Sequence, residues 1–375
     1  MAGIYIHIPF CKQACNYCNF HFSTSLKFKS ELLEALTQEL EMQRDYLQGM
    51  QVQTIYFGGG TPSLLSADEV NRIVDKISQH YNLNNLKEVT LEANPDDLTQ
   101  QHIKDLRRTS VNRFSIGIQS FFDRDLQYMN RAHNAQEADY AIKASQDAGF
   151  TNLTIDLIYG TPGLSDVDWQ HNLSRVQDLS IPHFSSYALT VEEGTALHHN
   201  IKVKKTTPVD AEQSAAQFEI LMAKAKELGY QHYEISNLAL PGHRAIHNTN
   251  YWKGVPYLGI GPSAHSFDGK TRRWNIANNA LYIKSILTDK KSNYEEEVLT
   301  QKQQLNEYIM TSLRTMWGID LNKVATQWGS DTVKTILNTA EQFIEYEQAI
   351  HKDNTLVLTD KGRLFADHIA GELFL

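Results

Sequence analysis

The segment HIPFCKQACNYCNF, from His7 to Phe20, is the most informative stretch of this chain for predicting its fold. It contains the only three cysteines, Cys11, Cys15 and Cys18, in a C-x3-C-x2-C spacing that follows an apolar strand pattern. A disulfide framework would spread an even number of cysteines along the chain. Three clustered thiolates can instead ligate three irons of a cubane cluster and leave the fourth iron open to another ligand. The spacing therefore predicts a metal centre in the loop after the first strand.

A structural zinc site is the alternative, with His7 or His21 as the fourth ligand. Zinc sites usually pair two ligand knuckles that a longer insert separates. In this chain every candidate ligand lies in one loop. The pattern therefore favours an iron–sulfur cluster over zinc, and the colour of anaerobically purified protein distinguishes the two because a zinc protein is colourless.

Short apolar runs alternate with longer amphipathic stretches through the first two-thirds of the chain, which predicts βαβ units around a parallel sheet. The predicted strands are Gly3–Ile8, Val52–Phe57, Glu88–Ala93, Arg113–Gln119, Asn152–Tyr159 and Phe184–Thr190. The predicted helices are Ser30–Gln48, Ala67–His80, Thr99–Arg108, Ala135–Asp147, Asp166–Asp178 and Asp210–Leu228. Because the glycine-rich loop follows the second strand rather than the first, the pattern favours a barrel or partial barrel over a doubly wound sheet.

Several predicted strands end in polar residues, among them Glu92, Gln119 and Asp156. In (β/α) barrels the carboxyl ends of the strands and the loops after them form the active face. Capping of the helices that follow is the competing interpretation. The same placement in three strands favours a shared site.

The rest of the chain predicts a connection and a smaller domain. Residues 241–267 are rich in Gly, Pro, His and Asn, and we expect a long irregular, functional segment there. Helical patterns at Gln303–Thr315, Leu321–Trp328 and Thr332–Gln342 are followed by a hairpin pattern at Ala349–Lys352 and Thr355–Leu358 and a last helix at Asp360–Ile369. Helices followed by a hairpin indicate a winged-helix-like module. We therefore expect a barrel in residues 1–240, a linking region in 241–296 and a winged-helix-like domain in 297–375.

Composition argues against several classes of function. The chain has 35 Lys and Arg against 44 Asp and Glu, a formal net charge of −9, whereas a nucleic-acid-binding protein usually presents a basic face. No stretch approaches the roughly 18 consecutive apolar residues of a membrane span. The first residues lack the pattern of a secretory signal. We therefore expect a cytoplasmic protein that is not an integral membrane protein and has no nucleic-acid partner.

A second motif, GGGTP at Gly58–Pro62, follows the second predicted strand. Glycines let the backbone approach a ligand closely and adopt positive φ. Together with the cysteine spacing, this motif resembles the radical S-adenosylmethionine (SAM) superfamily. The resemblance implies a partial (β/α)6 barrel related to the TIM barrel, a [4Fe–4S] cluster on the three cysteines, and SAM bound near Gly59, Gly60 and Thr61.

Further motifs resemble the coproporphyrinogen III oxidase-like branch of that superfamily over nearly the whole chain. They are Tyr5, the Glu of LEANPDD, the Gln of IGIQS, the pair Asn130–Arg131, and IDLIYGTPG at residues 155–163. The resemblance implies that Tyr5, Gly59 and Glu92 contact the cluster-bound cofactor. It also implies that cofactor or substrate lies near Tyr17, Gln119, Arg131, Asp156 and Ala188.

This branch contains oxygen-independent coproporphyrinogen III oxidases, which decarboxylate propionates, and the HemW group of heme chaperones, which bind heme and transfer it to acceptor proteins. Three features resemble the chaperones. The position two residues after Cys18, where the oxidases carry a fourth cysteine, is Phe20. The first predicted strand starts near Gly3, without the N-terminal extension of the oxidases. The segment HNTNYW, His247–Trp252, matches an H-N-x-x-Y-W signature of the chaperones.

The resemblance therefore implies a heme chaperone, with the decarboxylase as the alternative. Neutral imidazole is a good axial ligand for heme iron, and aromatic rings pack well on a porphyrin. His247 is the candidate heme ligand, and a structural histidine beside core aromatics is the competing interpretation. His243 and His265 are alternative ligands. Respiratory enzymes are the acceptors that the resemblance implies.

Overall fold

Six parallel strands form the centre of the main sheet in the computed structural model, which describes residues 1–375. These strands and the helices between them are β1 (Ala2–Ile8), α1 (Lys29–Met42), β2 (Val52–Gly59), α2 (Ala67–His80), β3 (Glu88–Ala93), α3 (Gln100–Leu106), β4 (Arg113–Gln119), α4 (Asp123–Tyr128), α5 (Ala135–Asp147), β5 (Leu153–Tyr159), α6 (Asp166–Asp178) and β6 (His183–Ala188). The strands pair in sequence order. They are buried on both faces, which explains their near-continuous apolar runs. The predicted α/β fold with a core of parallel strands is confirmed.

Local sequence explains where several of the connecting helices begin. Both α2 and α5 start with a capping box, in which Ser66 or Asn134 accepts a backbone N–H and a glutamate three residues later bonds back. The hydroxyl of Ser165 caps α6 in a similar way. These caps satisfy the N–H groups that the first turn of a helix leaves unpaired. The caps therefore fix the point at which each strand-to-helix loop enters its helix, at the carboxyl edge of the sheet.

The elements that follow β6 include more regular structure than expected. They are α7 (Ala196–Lys202), α8 (Ala211–Glu227), β7 (Gln231–Glu234), β8 (Asn237–Ala239), α9 (Ile246–Trp252), β9 (Tyr257–Ile260), β10 (His265–Phe267), β11 (Thr271–Asn275), α10 (Asn279–Leu287) and β12 (Tyr294–Val298). The prediction of an irregular segment in 241–267 is wrong, because β9 pairs in parallel with β1. This strand has four residues, and its Gly259 lies against the backbone of His265. A short strand with an obligatory glycine carries no two-residue periodicity.

Antiparallel strands extend both edges of the parallel core. Strands β10, β11 and β12 continue outward from β9, and β8 and β7 continue from β6. The twelve strands form one open sheet, because β12 and β7 do not pair with each other. The architecture is therefore a partial rather than a closed barrel. Its apolar core includes side chains from Ala2 to Ile286.

The C-terminal unit has its own apolar core, formed by side chains between Leu305 and Leu373. Its elements are α11 (Gln301–Leu313), β13 (Ile319–Asp320), α12 (Leu321–Trp328), α13 (Ser330–Glu345), β14 (Ala349–Lys352), β15 (Thr355–Leu358), α14 (Asp360–Arg363) and α15 (Ala366–Glu372). The predicted hairpin is β14–β15, and β13 adds a third strand. The order of helices and hairpin agrees with the expected winged-helix-like module. The division of the chain at residues 240 and 296 stays a prediction.

The last predicted helix, Asp360–Ile369, is interrupted at Leu364 and Phe365. Leu364 packs against the barrel core, whereas Ala366 and Ile369 belong to the C-terminal core. The break lets consecutive turns face two different cores. None of the helices combines the length and apolar character that crossing a membrane requires.

Candidate functional site

A cavity of about 910 Å³ lies at the carboxyl edge of the parallel strands, and we call it the thiol cavity. All of the predicted site residues except Tyr5 and His247 line it. Among them, Gly59, Gln119 and Ala188 are the last residues of β2, β4 and β6. The volume is in the upper part of the ~300–1,000 Å³ range of small-ligand sites. The fold thus brings side chains from distant parts of the sequence to one place.

The loop that carries the cysteines is tied to the segment that follows α4. The backbone N–H of Asn16 donates to the carbonyl of Met129 at 3.0 Å, and its side-chain amide donates to that of Tyr128 at 2.9 Å. The amide of Asn130 donates in return to the carbonyl of Ala14 at 2.7 Å. These bonds hold the three thiols on one wall of the cavity.

Arg131 connects the cysteine loop to the sheet. Its guanidinium donates to Sγ of Cys15 at 3.2 Å, to Oδ1 of Asn94 at 2.7 Å and to the carbonyl of Gly117 at 2.9 Å. Its Nε is buried and has no hydrogen-bond partner. The guanidinium thus places a fixed positive charge beside the sulfur of Cys15.

Burial opposes ionisation of two of the thiols, Cys11 and Cys18. It raises the pKa of Cys11 to about 11, although a hydrogen bond with Thr61 lowers it. The pKa of Cys18 is raised for the same reason. Iron must therefore displace protons from these groups when it binds, and Arg131 supplies positive charge against the thiolates that remain.

The glycine-rich loop packs against the cysteine loop so closely that side chains are excluded. A Cβ on Gly59 would lie 2.5 Å from the ring of His7, and one on Gly60 would lie 2.6 Å from the carbonyl of Phe10. The N–H of Gly60 donates to the carbonyl of Ile8 at 2.9 Å. Gly59 also has a φ of 106°, which favours glycine. The motif is thus required for packing, in addition to any contact with a cofactor.

Two carboxyl groups, Glu92 and Asp156, are surrounded by protein but open to the thiol cavity. Burial raises the pKa of Glu92 to about 7, although hydrogen bonds from the hydroxyl of Tyr56 (2.7 Å) and the N–H of Gly59 (3.2 Å) lower it. Burial raises the pKa of Asp156 to about 6, against the effect of a hydrogen bond with Ser185. Both groups can accept hydrogen bonds from an ammonium or a hydroxyl group.

The backbone is strained at two points on or beside the cavity wall. Gln119 has a φ of 67° at the end of β4, and Asn130 has a φ of 55° directly before Arg131. Residues other than glycine seldom adopt this left-handed conformation. Such strain tends to occur at functional sites, where the surrounding structure maintains it.

Some cavity residues were not assigned a role from the sequence. Asn94, which follows β3, accepts from Arg131 and donates to Oγ1 of Thr61 at 3.2 Å. Arg314 and Arg363 come from the C-terminal unit and line the same cavity. The sequence marks Asn94, like Glu92, as a polar residue at a strand end, but it does not indicate the partners of Asn94. No pattern in the sequence connects the two arginines with the cysteine motif, because only domain packing brings them there.

A second cavity of about 1040 Å³, which we call the aromatic cavity, lies between the β9–β11 extension and the C-terminal unit. Tyr5, which was predicted to contact the cofactor, lines this cavity instead. Its hydroxyl is 3.1 Å from Nδ1 of His7. Asn19 and Phe20 line both cavities, and Phe20 is 68% exposed. The residue at the position of the extra oxidase cysteine therefore lies where the two cavities meet.

The two histidines considered as zinc ligands line the aromatic cavity rather than the thiol cavity. Both ring nitrogens of His7 are hydrogen bonded, to Tyr5 and to the carbonyl of His21, and Nε2 of His21 is 2.7 Å from Oδ1 of Asn279. No group of three or more His, Cys, Asp or Glu side chains is arranged to hold a single metal ion. A cubane cluster bonds each thiolate to a different iron, so its ligands need not converge on one point.

His247, the candidate heme ligand, lies in neither cavity. It is 1% exposed, with Nδ1 at 2.8 Å from Oγ1 of Thr54 and Nε2 at 2.8 Å from the hydroxyl of Tyr251. Its ring stacks on Tyr56 with centroids 4.9 Å apart. Burial lowers its pKa to about 3. Because both ring nitrogens are engaged, this arrangement does not fit the prediction that His247 binds heme iron.

Comparisons with known proteins agree with this geometry. The profile of the radical SAM superfamily matches residues 5–176, and that of the HemN C-terminal domain matches residues 299–365. The heme chaperone HemW of Mycobacterium tuberculosis (strain H37Rv) is 33% identical over 99% of this chain and 94% of its own length. The heme chaperone HemW of Bacillus subtilis (strain 168) is 30% identical over 99% and 98%. The chain belongs to the HemW family of radical SAM proteins.

Among solved structures, the coproporphyrinogen III oxidase HemN of Escherichia coli, a radical SAM enzyme, is similar over the whole molecule. The alignment has a TM-score of 0.85 and 22% identity, and it covers 100% of this chain and 90% of that chain. At this identity the likeness shows a shared fold. The winged-helix-like unit of this chain corresponds to the HemN C-terminal domain, whose profile matches residues 299–365.

Replacing His247 by alanine is expected to lower the free energy of unfolding by about 2 kcal/mol. The substitution leaves the hydroxyls of Thr54 and Tyr251 without their partner in a buried site. Chemical denaturation monitored by circular dichroism measures the change, with the exposed His243 replaced by alanine as control. Equal stability of both variants would contradict a structural role for His247.

Proposed function

We propose that this protein is a cytoplasmic heme chaperone, which binds heme, passes it to acceptor proteins and carries one [4Fe–4S] cluster and SAM. The observation that supports this most strongly is its similarity to curated heme chaperones over nearly the whole chain. Respiratory enzymes are the proposed acceptors. We propose no nucleic-acid partner, because a net charge of −9 disfavours binding to a polyanion.

The residues of the thiol cavity fit these cofactors. Cys11, Cys15 and Cys18 would hold three irons, and the buried Nε of Arg131 still lacks a partner. When bound, the cluster can supply an electron to the sulfonium group of SAM. Its remaining iron would be open to the amino and carboxylate groups of that cofactor.

The polar groups of this chain would bind and orient the cofactor. Tyr56 and the N–H of Gly59 fix both carboxylate oxygens of Glu92. A cationic group near Glu92 would favour its ionised form, because an opposite charge lowers a carboxyl pKa. Asp156 offers a second acceptor, which suits a ribose hydroxyl. Arg131 holds the cysteine loop against the ends of β3 and β4, because it bonds to Cys15 in the loop and to Asn94 and Gly117 in the sheet.

Oxidative decarboxylation of coproporphyrinogen III is the second candidate. Arg314 and Arg363 line the thiol cavity, and guanidinium groups can bind the carboxylates of a tetrapyrrole substrate. Phe20 at the junction of the cavities argues against it, because the oxidases carry a cysteine at that position. The curated relatives named above are chaperones, which favours the first candidate.

The test uses full-length protein with a reconstituted cluster. We expect saturable one-to-one binding of heme in an anaerobic absorbance titration, and transfer of bound heme to membranes that contain heme-free respiratory enzyme. With SAM and a reductant, we expect no vinyl product from coproporphyrinogen III. Efficient decarboxylation would refute the proposal and establish the oxidase instead, and absence of saturable heme binding would also refute it.

A further inference from the structure

The two ends of the H-N-x-x-Y-W segment face different parts of the molecule. His247 is buried against β2, whereas Tyr251 and Trp252, at the end of α9, line the aromatic cavity. The rings of His247 and Tyr251 meet edge to face with centroids 4.7 Å apart, and their polar atoms are 2.8 Å apart. The histidine therefore holds the tyrosine ring in the cavity wall.

The wall of the aromatic cavity presents flat apolar groups from both units of the chain. Tyr251 packs edge to face on Tyr257 at a centroid distance of 4.5 Å, and Phe267 lies 6.4 Å from Tyr257. The C-terminal unit contributes Tyr308 and Trp328, which stack at 5.6 Å. Aromatic rings of this kind stack favourably on a flat macrocycle. The volume of about 1040 Å³ is that of a large small-molecule site.

The charges on the wall are mainly positive. Lys253, Arg272 and Lys323 line the cavity, and Glu307 is its only carboxylate. Arg272 pairs with Glu307 at 2.8 Å, which leaves the two ammonium groups without a carboxylate from the cavity wall. Porphyrin propionates are carboxylates, for which guanidinium and ammonium groups are the usual partners.

Of the three histidines that line the aromatic cavity, His265 is the one whose ring nitrogens form no hydrogen bond within the protein. It begins β10, is exposed, and its ring forms no hydrogen bond, whereas His7 and His21 both use ring nitrogens within the protein. Burial of part of the ring and the charge of Arg272 lower the pKa of His265. A neutral imidazole is the form that coordinates iron. His243, the other alternative from the sequence, does not line this cavity.

We propose that heme binds in the aromatic cavity, with a ring nitrogen of His265 on the iron and Tyr251 and Trp252 against the macrocycle. The inference rests on the proposed function, because it names the site of the proposed cargo. His247 is then a positioning residue that holds Tyr251. Because Phe20 lines both cavities, heme in this site lies next to the cysteine loop.

The test compares wild type, His265→Ala and the control His243→Ala, all full-length with a reconstituted cluster. Each is titrated anaerobically with ferric heme, and the Soret band is followed. We expect His265→Ala to raise the Kd at least about tenfold and to shift the Soret band, with His243→Ala unchanged. Added imidazole should restore the wild-type band in His265→Ala, because it can occupy the vacated coordination position. If His265 had only a structural role, added imidazole would not restore the Soret band of His265→Ala.

A second variant, Trp252→Leu, separates packing from ligation. We expect it to weaken heme binding without changing the Soret position, since the iron ligand is retained. Wild-type affinity and spectrum in both His265→Ala and Trp252→Leu would overturn the inference while leaving the proposed function intact. No saturable binding by wild type would overturn the proposed function itself. If His265→Ala does not fold, electron paramagnetic resonance of heme-loaded wild type decides, and a spectrum without histidine ligation contradicts the inference.

Discussion

Cys15→Ala is expected to abolish the iron–sulfur cluster. The chain has only three cysteines, so no other thiol can take over as the third ligand. Arg131, which donates to Sγ of Cys15 at 3.2 Å, would then lose its thiolate partner as well. We expect iron in the anaerobically reconstituted protein to fall from about four atoms per chain to nearly none, with loss of the brown absorption. Iron analysis and the absorption spectrum measure this.

The matched control is Gln13→Ala in the same loop. Its side chain lines the thiol cavity and donates to the carbonyl of Asn130 at 2.9 Å, but it cannot bind iron as a thiolate does. This variant should retain its iron. A Cys15→Ala variant that keeps a full cluster would contradict the ligand assignment. Stoichiometric zinc and no iron in the wild type would contradict an iron–sulfur centre altogether.

The second large effect is expected at Glu39, which lies in α1 far from the thiols along the chain. Its carboxyl group is 1% exposed and accepts from the N–H of Gly261 (2.9 Å), the amide of Asn275 (2.8 Å) and the hydroxyl of Tyr282 (2.5 Å). These donors belong to the loop after β9, to β11 and to α10. One buried side chain therefore fastens the edge extension of the sheet to the first helix.

Glu39→Ala should lower the free energy of unfolding by about 4 kcal/mol, because several buried donors lose their acceptor at once. Denaturant unfolding monitored by circular dichroism measures the change. The exposed Glu41 on the same helix pairs with Lys76 at 2.8 Å, and Glu41→Ala should change stability little. Similar losses for the two variants would contradict a special role for the buried network.

The stability that Glu39 contributes is expected to decrease as the pH rises. Burial raises the pKa of Glu39 to about 7, although its three hydrogen bonds lower it. The folded state thus holds a proton that the unfolded chain releases near pH 4.5. The corresponding stability is fully present below that pH and is lost as the pH rises through about 7, with a total of roughly 3 kcal/mol. Glu39→Ala should reduce this slope, and an unchanged slope would contradict the assignment.

Much of the parallel sheet could be predicted because its strands are long and buried on both faces. Strand β3 was predicted with the bounds that the structure has, and β4 likewise, since continuous apolar runs mark such strands. Strand β9 was not predicted because it is short and includes a glycine. Gly259 is needed there because the backbone of His265 leaves no room for a side chain. Edge elements of this kind depend on contacts that no local pattern records.

The thiol cavity was largely predictable for a different reason. Its residues occur at the ends of successive strands and in the loops after them, so a topology of parallel strands brings them together without further information. Gly59 and Glu92 illustrate this, because they lie at the ends of the paired strands β2 and β3, where the N–H of one is 3.2 Å from the carboxylate of the other. The prediction that His247 binds heme iron does not fit the structure, because a sequence motif does not indicate the direction in which each of its side chains points.

Local sequence patterns establish the cysteine spacing, the glycine loop and the order of strands, and these specify the family and one face of the molecule. They do so because each depends on neighbours along the chain or on the two-residue period of a strand. Packing between distant elements, in contrast, buries His247 and places Tyr251 and Trp252 on the wall of a second cavity. That cavity forms where β9–β11 and the C-terminal unit meet. Contacts between parts so distant along the chain follow from packing, which leaves no periodic trace in the sequence.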